Sequence, residues 1–175
     1  MSDLPPLALS VRQPWAWAII HGGKVIENRS LGSIRAGNMK PGRICIHAAA
    51  GMTEAEYRYA HWRLARHGVQ CPRPDALVRS GIIGTVEVTG IITQSDSEWF
   101  GGKAGLTLDD PHAIAPIPTS GALGYFEWQQ GHTFAPIKPW MKRFDAPDGD
   151  LCTGALFPDE ALSYKEPPKK PWSGD

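Results

Sequence analysis

The stretch from Leu7 to Arg29, LALSVRQPWAWAIIHGGKVIENR, spells out a strand, a helix, a glycine turn and a second strand. Leu7, Leu9 and Val11 alternate with Ala8, Ser10 and Arg12, the period of a half-buried strand. Pro14 suits the first position of a helix, where its missing N–H costs nothing. Trp15 to His21 is apolar on nearly every side, which predicts a buried helix rather than an amphipathic one. Gly22-Gly23 ends it, because glycine accepts the left-handed conformation there. Val25 to Arg29 then suits a strand, on which Glu27 and Arg29 share a face and Lys24 points the other way. Lys24 therefore reaches Glu27 only if it still belongs to the turn.

Size and charge narrow the class. A chain of 175 residues suits one domain with an appendage. It has no apolar run of about 18 residues, so no membrane span is expected, and no basic-then-apolar start, so no secretion signal is expected either. Cys45, Cys71 and Cys152 are odd in number, scattered and without a C-x-x-C pair. That argues against zinc and for a reduced, cytoplasmic protein. No metal and no organic cofactor are expected. Net charge is zero, but residues 1–79 hold 11 Lys/Arg against 5 Asp/Glu, and residues 80–175 hold 7 against 13. A basic half offers a local phosphate-binding surface unless folding mixes the two halves.

Outward from the opening, residues 30–42 carry three glycines and a proline and read as a loop, with Arg35 and Lys40 in it. Arg43 to Ala48 reads as a strand that places Ile44 and Ile46 on one face and Cys45 and His47 on the other. His47 fits a general base or a ligand contact, and equally a hydrogen-bonded structural histidine. Thr53-x-x-Glu56 is a capping box opening a helix whose inner stripe is Tyr57, Ala60 and Leu64, with Gly68 beyond its end. Arg58, Trp62 and Arg66 share another face of that helix, either to grip nucleic acid or to shelter the tryptophan under two arginine stems. Cys71-Pro72-Arg73-Pro74 is a stiff connector.

Gly81 to Thr93 is the clearest strand, with Gly84 and Gly90 placed to allow bulges of the kind barrel closure needs. Gln94 to Gly102 is a polar loop carrying Asp96, Glu98 and Trp99; Trp99 suits stacking on a base or plugging the barrel mouth. Ala104 to Leu108 suits a strand, Pro111 to Ser120 is broken by prolines, and Gly121 to Trp128 suits a closing strand. Thr119 and Ser120 offer hydroxyls before a glycine, for phosphate or for a turn.

The motif S-x-R-Q-P-W-A-x-x-I (Ser10 to Ile19) followed by G-x-K-x-x-E-x-R (Gly22, Lys24, Glu27, Arg29) resembles the activating-signal-cointegrator homology, or ASCH, domain. The resemblance continues through Gly42–Ala48, Gly81–Thr93 and Gly121–Phe126 and covers about residues 5–130. It implies an α+β, mainly β, PUA-like barrel, closed or partly closed, of about five or six strands with two or three flanking helices. It also implies a cleft beside the G-x-K turn. Residues 131–160 are expected to wrap over the domain, and residues 161–175 to form a mobile tail.

The function implied is binding of RNA, single-stranded nucleic acid or a modified nucleoside, with Arg12, Trp15, Lys24, Arg29, His47 and Trp99 as ligand-binding residues. The alternative is a metal-independent hydrolase, either an N4-acylcytidine amidohydrolase or a ribonuclease, built on Lys24 with Glu27. His47, Ser120, Asp96 and Glu98 are its further candidates. In the amidohydrolases of the family the lysine of the glycine turn works with a threonine three residues later. This chain has Glu27 there, which departs from that pattern and would require an activated water.

Overall fold

The structure is a computed structural model that describes residues 4–131 and 133–145. Six strands form one mixed sheet: β1 (Leu7–Val11), β2 (Ile26–Asn28), β3 (Gly42–Ala48), β4 (Gly81–Ile92), β5 (Gly105–Pro118) and β6 (Tyr125–Glu127). The order across the sheet is β2-β5-β4-β3-β1-β6. β1 runs parallel to β3, and the other pairs are antiparallel. Among the described residues β2 and β6 end that order without pairing to each other, so the sheet is open there, the partly closed form of the expected barrel.

Curvature comes from irregular pairing. The β4–β5 register shifts at Ile82/Gly84, Thr85/Glu87 and Val88/Gly90, and β3–β4 shifts at Ile46/His47. Each shift inserts a bulge, which bends the strand and increases its twist. At Gly84 a Cβ would lie 2.5 Å from the His112 carbonyl oxygen, so only glycine lets the two backbones meet.

The helix α1 (Trp15–His21) crosses the sheet and packs on β3, β4 and β5. Its Ile19 and Ile20 enter a core with Leu9, Val11, Ile44, Val86 and Leu106. The opposite face buries Ala8, Cys45 and Ile82 under Phe126 and Trp128. That double burial explains why Ala8 and Cys45, on the face opposite Leu9 and Ile44, are both fully covered. α3 (Glu54–Arg66) opens on the Thr53–Glu56 capping box as expected, and buries Tyr57, Ala60 and Leu64.

Two expectations are corrected. Residues 30–42 are not all loop: α2 (Leu31–Ala36) forms there, capped by the Ser30 hydroxyl accepting from the Ser33 amide, and it buries Ile34. The two segments expected at 104–108 and 111–120 are one strand. β5 pairs β2 only over residues 105–107, so beyond that it is an edge where proline removes no ladder bond. Pro111 also falls within a bulge, where Asp110 takes φ 47°.

Residues 133–145 lie against α3 and the 3-10 turn Pro74–Ala76, ending in the short helix α4 (Pro139–Lys142). Met141 and Phe144 are buried with Met52, Tyr57 and Leu77. Buried Arg79 donates to the carbonyls of Ala50 and Pro136, and Arg73 donates to that of Phe144. The expected wrap over 146–160 and the tail at 161–175 lie outside the described residues.

Candidate functional site

The α1–β2 turn delivers the lysine. The Gly22 and Lys24 amides both donate to the Ala18 carbonyl, and Gly23 takes φ +69°, a conformation that favours glycine. Lys24 thus sits in the turn, before β2 begins. Its Nζ donates to the Ile26 carbonyl and, at 2.8 Å, to Glu27 Oε2. Arg29 Nε lies 3.3 Å from Glu27 Oε1, and Arg29 Nη2 donates to the Ser10 carbonyl at 2.6 Å. The Lys24 and Glu27 side chains are 5 % and 10 % exposed, so this is a buried ion pair rather than a solvated one. Burial by itself raises the Glu27 pKa; the charges of Lys24 and Arg29 outweigh it, and the carboxyl is held below its ordinary range.

Beside the pair opens a cavity of about 480 Å³, within the roughly 300–1,000 Å³ of small-molecule sites. Lys24, Glu27 and Arg29 form one wall with Trp15, whose ring centroid is 6.0 Å from Lys24 Nζ. Arg12 stands at the rim, half exposed, with Nη2 2.8 Å from Glu56 Oε2. The same Glu56 oxygen accepts from the Thr53 amide, so the capping box that starts α3 also positions Arg12. Gly51 leaves the space that Arg12 fills, since a Cβ there would lie 2.9 Å from Nη2.

The facing wall is Trp99. It stacks on His67 with ring centroids 3.7 Å apart and planes at 5°. Asn28 donates from Nδ2 to the Trp99 carbonyl and accepts from the Gly101 amide, which ties the loop to β2. Arg63 donates to the Glu98 carbonyl and ties it to α3. Among the described residues, four basic side chains (Arg12, Lys24, Arg29, Arg63) line the cavity against two carboxylates (Glu27, Glu56), an excess of positive charge.

Of the residues singled out from sequence, Arg12, Trp15, Lys24, Glu27, Arg29 and Trp99 converge here. His47 does not line this cavity but an adjoining one of about 330 Å³. Asp96, Glu98 and Ser120 line neither cavity. The Glu98 carboxylate is 84 % exposed and lies 3.6 Å from His67 Nδ1. The Arg58–Trp62–Arg66 face points elsewhere: Arg58 pairs with Glu54 and lies over Phe144, and Arg66 lies over Trp62.

The α3 residues that do line the cavity are Glu56, Tyr59 and Arg63, spaced three and four apart. That stripe was visible in the sequence; which face turns toward the lysine was not. Asn28, Gln13 and Ser10 were not singled out as site residues: Ser10 and Gln13 stand in the opening motif, but a neutral polar residue within a strand or turn does not by itself announce a ligand contact.

Among the described residues no group of three or more His, Cys, Asp or Glu side chains is placed to hold a metal ion. Among them, too, no helix is long and apolar enough to cross a membrane.

An open, mainly β sheet with a lysine–carboxylate cavity at its first glycine turn is the class that fold and site define. The family model described as ASCH domain matches residues 9–142, and the chain belongs to that family. No curated protein sequence matches it. A solved structure similar to it is described as a serine-to-alanine mutant of the ZmASCH protein from Zymomonas mobilis. The two share 15 % identity over 82 % of this chain and 95 % of that one, with a TM-score of 0.35.

Proposed function

We propose that this protein binds RNA, single-stranded nucleic acid or a modified nucleoside in the cavity beside the G-x-K turn. The observation that carries the reading is the convergence of a buried Lys24–Glu27 pair, an indole platform and surplus basic side chains in one nucleotide-sized hollow. Lys24 has three donors and, among the described residues, spends two, on Ile26 and Glu27, which leaves one for a ligand. Glu27 keeps lone pairs beyond those its partners use. A donor beside an acceptor suits the edge of a nucleobase, which offers the complementary pair.

Trp99 has one ring face held by His67, which leaves the other for a base. Arg12 and Arg29 take phosphate, and Trp15 packs against the sugar or base. The same pairing favours recognition over proton transfer at Lys24: its ammonium is already committed to two acceptors, and a carboxylate held below its usual range is a weak base.

The test is fluorescence anisotropy of a labelled single-stranded RNA titrated at several salt concentrations. The expected result is saturable binding that weakens with salt, with a log–log slope of about 0.7 per phosphate contacted. A flat response down to low ionic strength removes the reading.

A further inference from the structure

The two cavities meet at Ser10, Ala49 and Leu123, which line both. Among the described residues lining them, Ser10 is the only serine or threonine. β1 and β3 run parallel with Ser10 opposite His47, and the Ser10 Oγ lies 2.8 Å from His47 Nδ1. The other ring nitrogen, Nε2, lies 3.1 Å from the Thr119 carbonyl oxygen.

A carbonyl only accepts, so Nε2 carries the proton of the neutral ring and Nδ1 holds the lone pair. The Ser10 hydroxyl must then donate to Nδ1. This is the arrangement of a hydroxyl nucleophile with its base, the base being oriented by a third group. Burial favours the uncharged imidazole, a preference that the Thr119 contact partly offsets.

The loop after β5 completes the setting. Gly121 presses on the pair so closely that a Cβ would lie 2.5 Å from both Ser10 Oγ and His47 Cε1. Among the described residues, the amides of Gly121, Ala122 and Leu123 meet no acceptor. Leu123 is 98 % exposed although it borders both cavities, an apolar prong that no described residue covers.

We propose that Ser10 is an acyl-accepting nucleophile with His47 as its general base, acting on a carboxylic ester. In this step the Ser10 Oγ attacks the ester carbonyl while its proton passes to His47 Nδ1. The carbonyl–oxygen bond to the alcohol then breaks, and the alcohol leaves with that proton. Water attacks the acyl-serine, again through Nδ1, releasing the carboxylic acid and restoring the hydroxyl. An ester suits the pair better than an amide. Nε2–H faces a neutral carbonyl rather than a carboxylate, so the imidazolium is less supported and the better leaving group is favoured. That the ester is carried by a nucleotide seated against Trp99 rests on the cavity reading above.

The test uses p-nitrophenyl acetate with the full chain, peptide mass spectrometry to locate the adduct, and a separate nucleotide-binding titration of the wild-type chain. The expected result is acetyl-Ser10 in the wild type, no acetylation at that position in Ser10→Ala, and acylation slowed about a hundredfold or more in His47→Gln. Adduct mapping on the wild type stands even if a variant folds poorly. Ser10→Cys adds a second readout, a thiol whose alkylation by iodoacetamide is faster with His47 than with Gln at position 47. No adduct at Ser10, or equal acylation rates with and without the imidazole, overturns the proposal. Nucleotide binding without acyl-Ser10 removes this inference and keeps the cavity reading; acyl-Ser10 without nucleotide binding does the reverse.

Discussion

Replacing Glu27 by glutamine keeps the shape of the side chain and removes its charge. Lys24 is then an ammonium only 5 % exposed, with neutral carbonyl oxygens (Ile26 and the new amide) as its acceptors, and Arg29 nearby is a second cation with no counter-charge. Removing one partner of a buried pair costs about 3–5 kcal/mol. At about 2–4 °C per kcal/mol for a chain of this size, that is a fall of roughly 6–20 °C in Tm.

Acid should erase part of the difference. The folded-state pKa of Glu27 lies below the ordinary 4.5, because Lys24 and Arg29 outweigh the cost of burial. The stabilisation is therefore fully present above about pH 4.5 and is lost as pH falls through the folded value. Thermal melts followed by circular dichroism, run on both proteins at neutral pH and at steps below pH 4.5, read both effects. A neutral-pH Tm within about 2 °C of wild type would show that the pair is solvated. A gap that holds or widens in acid would show that the linkage has the wrong sign.

Three further outcomes follow from single contacts. Trp99→Ala should weaken single-stranded RNA binding by about 1–3 kcal/mol, the worth of one stacked base, in an anisotropy titration. Arg12→Ala should leave chemical-denaturation stability within about 1 kcal/mol, because its bridge to Glu56 is half exposed; RNA binding should nevertheless lose one phosphate contact from its salt slope. Phe144→Ala should cost about 3–5 kcal/mol in urea unfolding. Its ring is 4 % exposed and meets Tyr57 edge-on at 4.8 Å, so an unchanged midpoint would show that residues 133–145 do not belong to the core.

The opening was legible because its signals are local. Alternation fixed β1, the double glycine fixed the turn, and Lys24 could reach Glu27 only from that turn, which is where it sits. The capping box and the inner stripe of α3 were legible for the same reason. α2 was not: six residues give less than two turns of periodicity, and Gly32 and Gly37 carry the composition of a loop. β5 was hidden by its prolines, which an edge strand tolerates at a bulge or where the missing donor would face away from the partner strand.

The face of α3 that borders the cavity was set by packing. A step of one residue turns a helix by about 100°, enough to exchange the Arg58–Trp62–Arg66 face for Glu56, Tyr59 and Arg63. Ser10 and His47 are 37 residues apart and become neighbours only through a parallel register that neither strand announces.

The most direct measurement is the set of tryptophan indole N–H signals in a ¹H–¹⁵N spectrum of the labelled chain titrated with single-stranded RNA. Trp99 and Trp15 line the cavity, whereas the Trp128 Nε1 donates to the Pro5 carbonyl at 2.8 Å on the other face of the sheet. The account predicts saturable shifts of the Trp99 and Trp15 signals with Trp128 unmoved. Shifts confined to Trp128, or equal displacement of all three, would place the ligand elsewhere and contradict it.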